Sequence, residues 1–310
     1  MPAQSKTFKV LFLAVCCLVI LLSFLAMSSR AVPKTSTVSR RTLSVGTTLS
    51  TYSQHRNAVS AVAWSPDGNE LASASYDKTV QVWDPVTGKS FTTYRGHSNW
   101  VTAVAWSPDG KELASAGLDT TVQVWNATIG KAMLTYIGHA ASVTSIAWSP
   151  DSKYLASVGF DKSVQVWNAT TGKALLTYSG HAASVTAISW SPDSTYLASV
   201  GFDKSVQVWN ATTGRPLWIY CCQGWVNGIT WSPDGRSIAS ANTSKTVQVW
   251  ESKTGIPELT YRNHRSEVLA VAWSPDGTRI ASGDDDGLVR VWQAPVVCQC
   301  TPGEIGQTVL

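Results

Sequence analysis

Residues 96–137 contain the pattern that decides the fold, and they read GHSNWVTAVAWSPDGKELASAGLDTTVQVWNATIGKAMLTYI. Four short runs rich in strand-forming residues lie between turn signals; they are Val101–Trp106, Lys111–Ala116, Thr121–Trp125 and Ala132–Tyr136. The first turn, Ser107-Pro108-Asp109-Gly110, combines residues that favour a tight bend. The pattern therefore predicts one small four-stranded antiparallel sheet, which cannot bury both of its faces alone.

The same unit recurs along the chain in constant register. One tryptophan column ends the first run of each unit and comprises Trp64, Trp106, Trp148, Trp190, Trp231 and Trp273. A second column ends the third run and comprises Trp83, Trp125, Trp167, Trp209, Trp250 and Trp292. Each column advances by 42, 42, 42, 41 and 42 residues. Four-stranded sheets repeated at this period are typical of a β-propeller, in which they stack face to face.

Over residues 45–293 the chain resembles the WD-repeat family. The resemblance rests on Gly-His, Ala-Trp-Ser-Pro-Asp-Gly and Ser-x-Asp-x-Thr-Val-x-Val-Trp, repeated in register. The Trp-Asp dipeptide itself occurs only at Trp83-Asp84, since the later units have Asn126, Asn168, Asn210, Glu251 or Gln293 there. The resemblance implies an all-β propeller that binds proteins and has no chemistry of its own.

A tyrosine column in the fourth run fixes the number of blades; it comprises Tyr52, Tyr94, Tyr136, Tyr178, Tyr220 and Tyr261. Tyr52 precedes the first complete unit, so residues 47–52 form a fourth strand without a blade. The last unit ends at Trp292 and lacks its fourth strand. We therefore predict a six-bladed propeller over 47–293, closed by the N-terminal strand in the last blade, with a C-terminal tail over 294–310.

The N-terminal residues 1–27 are predicted to be a signal anchor or transmembrane helix. Residues 10–27 contain no charge and follow Lys6 and Lys9, and their length is near the minimum for a membrane span. A cleaved signal peptide is the alternative, because small residues stand at plausible cleavage spacings, namely Ala26 with Ser28 or Ser29 with Ala31.

Residues 28–46 are rich in Ser and Thr and are predicted to be a flexible linker. Bases flank both ends of the apolar stretch, so the positive-inside rule nearly cancels. We expect a single-pass membrane protein with an extracytoplasmic propeller, because so early a span usually serves as an export signal. Secretion after signal cleavage is the alternative.

The five histidines of the chain fall in one column of the repeat. In the family that the chain resembles, this His forms a buried hydrogen-bond network with a second-strand Ser, a turn Asp and the third-strand Trp. The resemblance implies five such sets: His55, Ser73, Asp77, Trp83; His97, Ser115, Asp119, Trp125; His139, Ser157, Asp161, Trp167; His181, Ser199, Asp203, Trp209; and His264, Ser282, Asp286, Trp292.

Five identical sets, one per blade, indicate a structural role, whereas catalysis requires one exposed nucleophile beside one oriented base. No His remains outside the column, so we expect no catalytic residue, no metal site and no cofactor. The net charge is +4, but residues 1–41 hold six bases and no acid, which leaves −2 for the rest. That balance argues against a nucleic-acid partner.

The fifth blade departs from the pattern. It is one residue shorter, places Cys222 or Gln223 in the His column, and has Ser244 in place of the turn Asp. We predict that this blade is the most easily frayed and that Cys221 and Cys222 are small apolar fillers. The thiol states of these residues and of Cys298 and Cys300 stay open, as does glycosylation at the four Asn-x-Ser/Thr sequences.

The residues before the turn Asp and before the inner strand are expected to lie at one rim. We predict that a protein or peptide docks on a rim of mostly aromatic side chains there, comprising Tyr76, Trp100, Leu118, Phe160, Phe202 and Trp225. The alternative to a docking role is a structural one, in which the same side chains fold over and cover the blade edges. A ligand- or carbohydrate-sensing extracytoplasmic propeller is the alternative function, and a hydrolase is disfavoured.

Overall fold

The computed structural model describes residues 51–295, which form 23 β-strands and no helix. Within this part no helix is long and apolar enough to cross a membrane, and the predicted span 10–27 lies outside it. The strands, in chain order, are β1 (Val59–Trp64), β2 (Leu71–Ser75), β3 (Val80–Trp83), β4 (Ser90–Tyr94), β5 (Val101–Trp106), β6 (Glu112–Gly117), β7 (Val122–Asn126), β8 (Ala132–Tyr136), β9 (Val143–Trp148), β10 (Tyr154–Gly159), β11 (Val164–Asn168), β12 (Ala174–Tyr178), β13 (Val185–Trp190), β14 (Tyr196–Gly201), β15 (Ser205–Asn210), β16 (Pro216–Cys221), β17 (Val226–Trp231), β18 (Ser237–Asn242), β19 (Thr246–Glu251), β20 (Pro257–Tyr261), β21 (Val268–Trp273), β22 (Arg279–Asp284) and β23 (Val289–Gln293).

These strands form six antiparallel sheets, and consecutive strands are neighbours in every sheet. The first five sheets have four strands each, and the sixth, β21–β22–β23, has three among the described residues. The six predicted blades are thus confirmed, and we number them in chain order. In blade two the predicted strands match the observed ones to within one residue at each end.

The alternating strand direction sorts the loops into two ends of the propeller. The turn between second and third strands lies at the same end as the loop that enters the next blade, and we call this the upper end. The Ser-Pro-Asp-Gly turns lie at the lower end. There Ser107 Oγ donates to Asp109 Oδ1 at 2.7 Å, and Gly110 adopts φ 73°, a left-handed conformation that Gly tolerates best.

The core lies between blades rather than within one. Ala114 and Val122 on one face of blade two are fully buried against Val143 and Trp148 of the inner strand of blade three. Equivalent apolar clusters join blades one and two, three and four, four and five, and five and six. Each sheet is therefore stabilised mainly by burying its faces against its neighbours.

Hydrogen bonds add a second link between neighbouring inner strands. Thr102 Oγ1 donates to the carbonyl of Val143 at 2.7 Å, and Trp148 Nε1 donates to the carbonyl of Ala105 at 3.2 Å. The first of these bonds recurs at the other junctions, as Ser60 to Val101, Thr144 to Val185, Thr186 to Val226 and Asn227 to Val268. In blade six, Leu269 stands at the position of these donors, and its side chain has no polar group.

The junction of blade six with blade one differs from the other five. Among the described residues these two blades lack the strand-to-strand packing that joins other neighbours. Val289 and Val291 of β23 are 62% and 63% exposed, whereas Val247 and Val249, their equivalents in blade five, are fully buried. Val59 is likewise 40% exposed. Residues 51–295 thus form five of the six expected blade-to-blade junctions, and the junction of blade six with blade one is open among these residues.

The predicted closing strand, 47–52, lies mostly outside the described residues. Tyr52 is described, and it stacks on Trp83 with ring centroids 4.5 Å apart and 5° between planes. Its hydroxyl donates to Gln81 Oε1 at 2.5 Å. Tyr94, at the end of β4, makes the same two contacts with blade two. Tyr52 therefore has the contacts of a fourth-strand tyrosine, while pairing of residues 47–50 with β23 stays a prediction.

Candidate functional site

A chain of hydrogen bonds runs through the upper half of blade four. Trp209 Nε1 donates to Ser199 Oγ at 3.1 Å, and Ser199 Oγ lies 2.8 Å from His181 Nε2. His181 Nδ1 lies 2.8 Å from Asp203 Oδ2. An ionised carboxylate only accepts, so His181 Nδ1 carries a proton; in the neutral ring Nε2 is then the acceptor, and Ser199 donates to it. Every bond in the chain then polarises the next in the same sense.

The carboxylate of Asp203 also joins two loops at the upper end. It accepts from the backbone N–H of Ala182, in the loop that enters the blade, at 3.0 Å. It accepts from the N–H and hydroxyl of Ser205, after the turn, at 3.0 and 2.7 Å. Burial acts to raise the pKa of Asp203, but the bonds from His181 and Ser205 outweigh it and lower that pKa to about 2.

A tyrosine from the preceding blade extends this chain across the blade junction. Tyr178, at the end of β12 in blade three, donates to Gln207 Oε1 at 2.7 Å. Its ring stacks on Trp209 with centroids 4.3 Å apart. The glutamine column was missed in the sequence, although the spacing of 29 residues between Tyr178 and Gln207 recurs at 94–123 and 136–165. The network therefore fixes neighbouring blades to each other.

The close approach of these groups explains the Gly-His pair. A Cβ atom added to Gly180 would overlap the hydroxyl of Tyr178 and Oε1 of Gln207. Gly96 and Gly138 have the same surroundings in blades two and three. Only Gly leaves room for the tyrosine–glutamine bond beside the loop that carries the histidine.

Three further blades repeat the four-residue set as predicted. His to Asp and His to Ser distances all lie between 2.7 and 2.9 Å. Burial opposes the shift, yet hydrogen bonds to each aspartate lower its pKa to about 2. These sets are His55, Ser73, Asp77 and Trp83; His97, Ser115, Asp119 and Trp125; and His139, Ser157, Asp161 and Trp167.

Blade six corrects one predicted residue. His264 Nδ1 lies 2.8 Å from Asp284 Oδ2, so Asp284 and not Asp286 completes the set with Ser282 and Trp292. Asp284 is buried at the end of β22, and Arg290 Nη1, in the glutamine column, donates to it at 2.6 Å. Asp286 is exposed. The arginine next to β22 attracts the carboxylate that lies two residues before the turn position.

Blade five lacks the histidine and the aspartate, as predicted. Trp250 Nε1 still donates to Ser240 Oγ at 3.1 Å, but the chain stops there. Cys222 is buried, and its thiol donates to Gln248 Oε1 at 3.8 Å in place of the tyrosine. Tyr220 is tilted by 55° to Trp250, whereas Tyr178 lies 8° from the plane of its tryptophan. This blade thus keeps the packing and loses the network.

These Ser-His-Asp sets resemble a catalytic triad in distance but not in surroundings. Ser115, Ser157 and Ser199 are fully buried, and each hydroxyl oxygen already accepts an indole N–H. A nucleophile must reach the substrate carbonyl in such chemistry. The buried hydroxyls present no surface for a substrate, so the arrangement is suited to holding each blade together.

No metal site is formed by the described part of the chain, where no group of three or more His, Cys, Asp or Glu converges. Burial raises the pKa of the Cys222 thiol to about 12, so this thiol does not ionise near neutral pH. Cys221 is exposed beside it. Cys298 and Cys300 lie outside the described residues.

Four of the six predicted docking residues meet at the upper end. Trp100, Leu118 and Phe160 pack around Tyr76 in one cluster that covers blades one to three. The rings of Tyr76 and Trp100 stack with centroids 4.4 Å apart. Tyr76 is buried within the cluster, whereas the other three are half-buried and form its outer surface. Tyr76 is thus covered by its neighbours, which agrees with the structural alternative that these side chains fold over the blade edges.

The other two docking residues form a separate pair. Phe202 and Trp225 lie at the upper end of blades four and five, with ring centroids 5.2 Å apart and 50° between planes. Trp225 is 39% exposed, which is unusual for so large an apolar side chain. The aromatic rim therefore divides into a cluster of four and a pair.

Among the described residues, six antiparallel sheets follow one another along the chain, five with four strands and the sixth with three, and neighbouring sheets pack face to face at five junctions. Together with the sixfold repeat, this arrangement defines the class of the protein as a β-propeller. The particular family follows from comparison with known sequences. The model of the WD domain, G-beta repeat, matches residues 46–84, 88–126, 130–168, 172–210, 214–251 and 255–293. The chain belongs to the WD-repeat family, whose propellers are generally non-catalytic scaffolds that bind proteins.

Similarity to curated proteins extends over about one repeat. The chain is 56% identical over 32 residues to "Probable cytosolic iron-sulfur protein assembly protein 1" of Cryptococcus neoformans, covering 10% of this chain and 7% of that protein. It is 58% identical over 36 residues to "Protein Mut11" of Chlamydomonas reinhardtii, covering 12% of this chain and 10% of that protein. The chain thus spans a tenth or less of the length of these relatives, and the similarity concerns the repeat alone.

Proposed function

We propose that this propeller is a non-catalytic interaction scaffold that docks a protein or peptide on the aromatic rim of its upper end. The observation that carries the proposal is the cluster of Tyr76, Trp100, Leu118 and Phe160. Aromatic groups with part of their surface exposed concentrate binding energy in interfaces. The network below fixes the turns that present them, so the rim is rigid before a partner arrives.

We further propose that residues 1–27 anchor the protein in a membrane, that 28–46 link the anchor to the propeller, and that the propeller is extracytoplasmic. The uncharged stretch 10–27, after Lys6 and Lys9, supports the anchor. Pairing of 47–50 with β23 would complete blade six and place Tyr52 where it is observed. Protease protection of the propeller in sealed vesicles tests the orientation.

The docking proposal is tested with the full-length protein and the double substitution Phe160→Ser with Phe202→Ser. Partners are cross-linked in the native membrane, captured and counted by quantitative mass spectrometry. We expect the partner set to be lost, with the melting temperature lowered by no more than a few degrees. The matched control is Ile129→Ser with Ile256→Ser, since both isoleucines are exposed at the lower end. Equal capture by both double variants would place the docking surface elsewhere.

A further inference from the structure

Three upper turns repeat an aromatic residue, an aspartate and a lysine in the same order. They are Tyr76-Asp77-Lys78, Phe160-Asp161-Lys162 and Phe202-Asp203-Lys204. Each lysine has a left-handed backbone, with φ of 70°, 68° and 63°. That conformation favours Gly or Asn over long side chains, so turn geometry does not account for lysine there. Every such turn presents an exposed ammonium beside an apolar ring.

The accessible charge at this end is of one sign over most of the propeller. In blades one to five the exposed charged side chains of the upper loops are all basic, namely Arg56, Lys78, Arg95, Lys162, Lys204 and Lys245. None of them takes part in the ion pairs formed by residues 51–295. The exposed acids of the upper loops are confined to the entry and turn of blade six, at Glu267, Asp285 and Asp286.

The remaining upper carboxylates are already occupied. Asp77, Asp119, Asp161 and Asp203 have side chains only 6–9% exposed, and each is bonded to its histidine. Such groups moderate the positive field but have no accessible surface to receive a cationic ligand. The lower end differs, because bases there lie beside acids and form the pairs Lys111–Asp109, Lys153–Asp151 and Arg236–Asp234.

From this arrangement we propose that the upper end takes an acidic peptide segment that carries an apolar anchor residue. The inference rests on the proposed docking function and specifies the partner. Carboxylates of the peptide pair with Lys162 and Lys204, while the anchor packs on Phe160 or against Phe202 and Trp225. The cations stand singly between apolar side chains, which suits a peptide better than the continuous phosphates of a nucleic acid or a lipid surface.

The test measures binding of three fluorescent 12-residue peptides to the full-length protein in mild detergent. All contain one central Phe in a Ser and Gly background, with four Asp, four Asn or four Lys. We expect the Asp peptide to bind at least tenfold more tightly than the other two, and this preference to shrink as salt rises. Equal binding of the three peptides, or no binding of the Asp peptide, would overturn the acidic partner.

Two double variants that change the net charge by the same amount test where on the propeller the Asp peptide binds. Lys162→Glu with Lys204→Glu changes the upper end of blades three and four, and Lys173→Glu with Arg215→Glu changes the lower end of the same blades. We expect at least a tenfold loss of Asp-peptide binding in the first variant and less than a twofold change in the second. Equal losses in both would show that only net charge matters, and would overturn the site.

Two further probes separate the competing polyanions. A 12-nucleotide thymidine strand and vesicles with a fifth of anionic phosphatidylserine are measured against the same variants. Binding of either that is tighter than the Asp peptide, and lost in the upper-end variant, would replace the peptide by that ligand. If partner capture depends on Phe160 and Phe202 while no charge preference appears, the docking function stands and the acidic partner falls. If capture is also independent of both residues, both proposals fail.

Discussion

Blades four and five are neighbours, and each is a sheet of four strands, but they are stabilised differently. In blade four, Trp209, Ser199, His181 and Asp203 form one continuous polar chain. In blade five the chain ends at Ser240, and Ser244 stands where the aspartate would be. The apolar faces of both are fully buried, with Val206, Val208, Val247 and Val249 inaccessible.

Apolar burial and the polar network therefore have separate roles, which blades other than blade five combine. Burial of the valines and tryptophans is enough to form a blade, since blade five has it and folds in register. The network instead ties the entry loop and the turn to a fixed position. Blade five bears Trp225 on that entry loop, so one half of the Phe202–Trp225 pair rests on the less constrained blade.

The largest expected effect comes from removing the carboxylate of blade four. Asp203→Ala leaves the Nδ1–H of His181, the N–H of Ala182 and the N–H of Ser205 without their acceptor. We expect unfolding free energy to fall by about 3 kcal/mol, since the buried His181 and Ser205 lose the acceptor that they share, while the exposed N–H of Ala182 can bond to water instead. Ser244→Ala in blade five is the control and should cost less than about 0.5 kcal/mol. Urea unfolding of both variants measures this, and similar losses would mean that packing alone stabilises blade four.

Acidification should weaken the networked blades first. The aspartates of blades one to four have a folded-state pKa near 2, below the ordinary value of 3.8. Because the folded pKa is depressed, their contribution is complete only well above the unfolded value of 3.8, from about pH 5, and is lost progressively as pH falls through 2. Asp276, at an exposed lower turn, has its pKa lowered to about 2 by Ser274 and Thr278 and adds to the same transition.

Hydrogen exchange resolved by segment measures this effect. At pH 7 we expect the upper loops of blade five to exchange faster than those of blade four. Between pH 4 and 2, after correction for the intrinsic rate, the difference should narrow. A constant difference over that range would show that the ionised aspartates do not cause it.

Most of this architecture could be predicted from single residues in register. The tryptophan columns gave the six sheets, and Gly-His with the turn Asp gave four of the five network sets. Asp286 was wrong because repeat register shows Arg290 in the glutamine column but not that its guanidinium binds Asp284. The aspartate of the blade-six set is determined by which carboxylate lies beside His264 in three dimensions, and not by its position in the repeat.

Other features depend on contacts across blades and were not visible in one repeat. The burial of Tyr76 under Trp100 follows from the spacing of neighbouring blades, which the period alone does not determine. The tyrosine column was used only to count strands, although its hydroxyls reach the glutamines of the next blade. In blade five, Gln248 accepts from Cys222 in place of a tyrosine. Tyr178 and Tyr220 can therefore be compared as a matched pair, because only the first is placed against a glutamine that accepts its hydroxyl.

The smallest of the expected effects concerns this pair. Tyr178→Phe removes the hydroxyl that donates to Gln207 at 2.7 Å, and we expect a loss of about 1 kcal/mol in unfolding free energy. In blade five, Gln248 accepts from Cys222, so Tyr220→Phe should change stability by less than about 0.3 kcal/mol. Both variants keep the ring, so the stacking on Trp209 and the contact with Trp250 are unchanged. A thermal or urea comparison decides the matter: equal losses would mean that the hydroxyl bond adds nothing to the junction beyond the ring, and that blades four and five differ only in their histidine and aspartate.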